Sequence, residues 1–139
     1  MGPQHTRAYR GRAAVVGCGE IFAAGLAFVL AERGWTVVQR CCEVEEVDLT
    51  AEPQVVLLDL AREAGAVDAT LDACRSLTKP PAATRVMAIT DVVEPDLFDR
   101  AMRAGLSGLQ PRDLPVCELD RAAQAVLIGQ TAFDRTFAV

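Results

Sequence analysis

Apolar runs alternate with helical stripes along most of this chain. Ala13-Ala14-Val15-Val16 is a short unbroken apolar run, and Gly17-Cys18-Gly19 follows it. From Glu20 to Arg33, residues Phe22, Leu26, Val29 and Leu30 recur at i, i+4, i+7 and i+8, the stripe of a helix with one buried face. Gly34 stands where that helix should end, and the β-branched Thr36-Val37-Val38-Gln39 predicts a second strand. An acidic stretch, Glu43 to Val47, predicts a short helix or loop; Pro53 then leads into the strand Val55-Val56-Leu57-Leu58-Asp59. A weaker helix is predicted over Ala66 to Leu77, broken by Lys79-Pro80-Pro81, and Arg85 to Thr90 is strand four. Pro95 opens a helix to about Ala104, closed by Gly105. Gly108-Leu109 is a short strand before Pro111, and a last helix covers about Pro115 to Ile128.

Strands alternating with helices predict βαβ units, a parallel sheet and right-handed crossovers that put helices on both faces. The unbroken apolar strands one and three fit central positions, buried on both sides. The predicted fold is therefore α/β: a doubly wound (βα)5 sandwich on a five-stranded parallel sheet. Ligand chemistry in such sheets lies beyond the carboxyl ends of the strands. That singles out Gly17-Cys18-Gly19, Asp59, Thr90 and the loop around Arg112. Residues 1–11 carry two arginines without apolar periodicity and read as a flexible basic arm.

Composition narrows the field. The chain has 139 residues, a single domain's worth, and a net charge of -5, which argues against direct DNA binding. The longest apolar stretch, Ile21 to Ala31, is too short to span a bilayer and begins too late for a secretory signal, so a cytoplasmic domain is expected. Cysteines stand at 18, 41, 42, 74 and 117, with no C-x-x-C spacing, and the one histidine is His5. Neither a metal nor a cofactor is expected from that set. Cys41-Cys42 could form a redox pair; the plainer reading makes the thiols small buried hydrophobes.

Gly17-Cys18-Gly19 also reads as part of a dinucleotide fingerprint, hence a small nucleotide- or metabolite-binding domain. Phe22, however, stands where the third glycine belongs, and Gln39-Arg40 where an acid is wanted. The later strands carry a different signal. Pro53 to Leu60 resembles the strand of bacterial response-regulator receiver domains that ends in the phospho-acceptor aspartate, here Asp59. Val86 to Thr90 resembles the strand ending in that family's switch threonine or serine. Arg100 to Asp113 is similar to its A-G-A-x-G-Y-L-x-K-D segment, and Glu118 to Gln130 resembles the last helix of receivers that precede LuxR/NarL-type DNA-binding domains. The resemblance covers residues 12–130 and implies a CheY-like sheet of order 2-1-3-4-5. It makes residues 131–139 a tail or linker towards an effector domain outside this chain, through which any contact with DNA would run.

The departures from that family shape the functional expectation. Its Mg²⁺-binding acidic pair falls on Gly17 and Cys18, its lysine on Arg112 and its strand-five aromatic on Leu109. Asp59 alone is a poor Mg²⁺ site, so the resemblance implies a receiver that works without phosphorylation, a regulatory module rather than an enzyme. Arg112 is expected to balance Asp59. The alternative is a phosphorylatable receiver in which Glu20 stands in for the missing acids, although Glu20 also suits the first turn of a helix. Without a chemical trigger, the module needs a constitutively populated homodimer or a small-molecule effector. The charged surfaces of the last helices suggest the contact: Asp96, Asp99, Arg100 and Arg103, with Glu118, Leu119, Asp120 and Arg121. The first and last helices offer a substitute face.

Overall fold

A computed structural model describes residues 9–60, 66–91 and 94–137. Its elements run β1 (Gly11–Val16), α1 (Glu20–Glu32), β2 (Trp35–Cys41), β3 (Val55–Asp59), α2 (Ala66–Thr78), β4 (Arg85–Thr90), α3 (Leu97–Arg103), β5 (Gly108–Pro111), α4 (Val116–Leu127) and β6 (Ala132–Phe133). All pairings are parallel, in the order β2-β1-β3-β4-β5-β6. The sheet is thus the predicted doubly wound one, with a sixth strand added at the β5 edge.

Two cores lie on its opposite faces. On one, Val56, Leu58, Val86 and Ala88 pack against Val67, Leu71 and Cys74 of α2 and Leu97 and Ala101 of α3. On the other, Val15, Val55, Leu57 and Met87 meet Leu26 and Leu30 of α1 and Ala123 and Val126 of α4. Successive residues of β3 therefore serve both cores, which is why the strand has no polar position before Asp59. Gly34 follows α1 with φ at 100°, where a Cβ would be strained.

Among the described residues, secondary structure extends past two of the expected boundaries. Residues 1–8 of the arm lie outside the described residues, but Gly11 already belongs to β1, and the Arg10 N–H donates to the Gly34 carbonyl at 3.0 Å. Beyond residue 130, β6 pairs with β5, the Phe133 ring meets Phe98 edge-on at 5.1 Å, and Phe137 is buried. This segment closes an edge that would otherwise expose unpaired backbone. The strand order reverses direction between β2-β1 and β3, so the carboxyl ends of β1 and β3 border the crevice of the fold.

Candidate functional site

Asp59 ends β3 in that crevice, its side chain 9% exposed. Arg112, carried past β5 on a loop, brings its Nη1 to 2.9 Å from Asp59 Oδ1, the balance expected from the sequence. The Arg112 backbone N–H donates to the Thr90 carbonyl at 3.1 Å, and its guanidinium carbon lies 4.0 Å from the Phe22 ring centroid. Phe22, half-exposed on α1, thus supplies a cation–π floor for the cation. Gly17 is fixed by proximity: a Cβ there would sit 2.8 Å from the Asp59 Cβ. Cys18, Cys42, Glu43, Thr70, Asp59 and Arg112 all line one cleft of about 480 Å³.

No protein-family model and no curated protein sequence matches the chain. Solved structures do match. A LuxR-family two-component response regulator from Aurantimonas sp. SI85-9A1 superposes with a TM-score of 0.79 at 24% identity, over 91% of each chain. The signal receiver domain of the putative response regulator NarL from Mycobacterium tuberculosis gives 0.74 at 23%, over 88% of this chain and 100% of that one. The isolated receiver domain of RcsB from Salmonella enterica serovar Typhimurium, solved with the phosphomimetic BeF3-, gives 0.73 at 12%, over 91% and 95%. The chain has the receiver-domain fold.

On this receiver fold the other marked residues take definite places. Thr90 is fully buried and its hydroxyl donates to the Leu60 carbonyl at 3.2 Å, tying the ends of β3 and β4. Leu109 is fully buried and part of the core. Glu20 is exposed in the first turn of α1 and does not line the cleft. A receiver's Mg²⁺ does not fit these residues: the two positions after β1 offer a hydrogen and a thiol, and Asp59 Oδ1 is engaged by a guanidinium.

The thiols correct the expectation of buried hydrophobes. Cys74 alone is buried; Cys18, Cys42 and Cys117 are exposed and Cys41 is intermediate. The Cys18 Sγ lies 3.3 Å from the Cys42 carbonyl and 3.6 Å from Glu43 Oε2. Its hydrogen bond with Cys42, then desolvation, then the neighbouring negative charges push the thiol up to about 12. A thiol so placed is protonated at neutral pH, and a metal ion that binds it must displace that proton. No sequence spacing flagged this grouping, because its members come from two loops.

Two members of the expected charged dimer face also need correction. Leu119 is 7% exposed and Asp120 3%, so neither presents a surface. Asp120 Oδ1 accepts from Trp35 Nε1 at 2.8 Å, and its Oδ2 lies 3.3 Å from Arg10 Nη2. Arg100 is occupied within the chain by Asp68, Asp96 and Glu94, and Arg103 by Asp99 at 2.6 Å. Asp96, Asp99, Arg103, Glu118 and Arg121 stay exposed. Among the described residues, no helix is long and apolar enough to cross a membrane.

Proposed function

We propose that this chain is an atypical receiver module, a signalling and self-associating domain of a bacterial transcription regulator that works without Mg²⁺-dependent phosphorylation. The Asp59–Arg112 ion pair carries this reading. Aspartyl phosphorylation draws on a metal ion that gathers the phosphoryl oxygens beside the accepting carboxylate. Here a guanidinium holds that carboxylate, and Gly17 and Cys18 bring no oxygen ligand. The exposed position of Glu20, outside the cleft, weighs against it as a stand-in acid.

Such a module acts through its surfaces and not through catalysis. Its competent state is either populated already or biased by a small-molecule effector. With a net charge of -5, it reaches DNA through a separate effector domain. The apolar surface of α1 favours a homodimer through the first and last helices: Ile21 is 92% exposed, Phe28 66% and Val116 of α4 38%. Calorimetric titration with Mg²⁺ tests the metal half of the reading. The expected result is no saturable heat at physiological Mg²⁺ concentrations; saturable binding that Asp59→Asn abolishes would overturn it.

A further inference from the structure

We infer that Cys18, Cys42 and Glu43 form a binding site for a thiophilic divalent cation, Zn²⁺ by its chemistry, in the cleft that also holds Asp59. The inference goes beyond the receiver reading and does not depend on it.

The chain brings the three donors together by backbone contacts. The Gly17 N–H donates to the Cys41 carbonyl at 2.9 Å, so the residues that follow each partner, Cys18 and Cys42, emerge side by side. The two Sγ atoms and a Glu43 carboxylate oxygen all lie within 4.8 Å of one another. Tetrahedral Zn²⁺, with Zn–S of about 2.3 Å and Zn–O of about 2.0–2.2 Å, sets an S···O edge of roughly 3.5 Å. The Cys18 Sγ to Glu43 Oε2 separation is 3.6 Å.

Glu43 is also held in place from behind. Its carboxylate accepts the Glu46 N–H, while Glu46 Oε1 accepts the N–H groups of Cys42 and Glu43 at 3.0 and 2.9 Å. Outer contacts of this kind orient a metal ligand and raise affinity. Two thiolates with one carboxylate select Zn²⁺ over Mg²⁺, which wants an all-oxygen octahedron. All three residues are exposed, so the ion enters from solvent. Three protein donors leave a fourth position open to water or to a ligand in the cleft, as in exchangeable rather than closed sites.

Reduced, metal-stripped protein titrated anaerobically with Co²⁺ gives the test. One equivalent should produce a thiolate-to-cobalt charge-transfer band with the visible bands of a four-coordinate site, and Zn²⁺ should bleach both. Cys18→Ser and Cys42→Ser should each abolish the signal, while Cys41→Ser and Cys117→Ser keep it. Glu43→Gln should weaken Zn²⁺ about tenfold or more. In the unsubstituted chain, Zn²⁺ should protect Cys18 and Cys42 from alkylation and leave Cys117 labelled. No charge-transfer band, a band that survives both serine variants or depends on Cys41, or unprotected Cys18 and Cys42 would each overturn the site. Neither Mg²⁺ nor phosphodonor enters these measurements, so their failure is separate from failure of the receiver reading.

Discussion

Arg112 Nη1 and Asp59 Oδ1 stand 2.9 Å apart across the carboxyl edge of the sheet, joining the β5–α4 loop to the end of β3. The carboxylate is nearly buried while the guanidinium is one-third exposed, so the pair is screened less than a surface bridge and more than a fully interior one. Its cation also rests on Phe22, which ties the same loop to α1.

Arg112→Ala should therefore cost about 1–3 kcal/mol in urea unfolding, because it leaves Asp59 without its guanidinium. Arg112→Lys should recover part of that, keeping the charge but not the planar stacking on Phe22. An Arg112→Ala protein as stable as the parent would show that the pair is incidental.

Asp120 should matter more to stability. Replacing it by alanine strands the Trp35 indole N–H and the Arg10 guanidinium in a site where Asp120 is 3% exposed. The expected loss is about 2–4 kcal/mol, with Asp120→Asn milder because it keeps an acceptor for the indole. Trp35 is the chain's one tryptophan, so its fluorescence reports both the unfolding and the local hydration.

Much of the architecture was legible because the strands are unbroken apolar runs and the helices carry stripes. Leu26 and Leu30, marked by their spacing, do face the core. The two-residue β6 has no such signature; its place comes from pairing with β5 and from Phe98 meeting Phe133. Asp120 read as a surface charge because its partners, Trp35 and Arg10, lie 85 and 110 residues away. Likewise Arg100 on α3 looked available for a partner, but it reaches Asp68 on α2. The Asp59–Arg112 pair was foreseeable, since a nearly buried carboxylate with a cation on the neighbouring loop has few other solutions.

The carboxy-terminal segment should behave as part of the domain. Removing residues 131–139 would uncover Phe98 and the β5 edge, and should lower Tm and speed amide exchange along β5. Its docking should also weaken in acid. Hydrogen bonds from the Thr136 side chain and N–H hold the Asp134 carboxyl below its ordinary range. That stabilisation is present above the unfolded value of about 3.9 and is lost as pH falls through the lower folded value. Amide exchange at Ala132, whose N–H bonds the Ser107 carbonyl, should rise over that window in the parent and not in Asp134→Asn.

Self-association should be present without any phosphodonor. Sedimentation equilibrium at micromolar concentrations is expected to show a dimer that Ile21→Glu or Phe28→Glu dissociates and Arg103→Glu leaves intact. A monomer under those conditions would remove the constitutive dimer and leave effector binding as the remaining input.

The most direct test is the intact mass of the protein after incubation with Mg²⁺ and a small phosphodonor. With Asp59 paired to Arg112 and no acidic pair beside it, the mass should stay unchanged. A stoichiometric gain of about 80 daltons, one phosphoryl group, that disappears in Asp59→Ala would contradict the account.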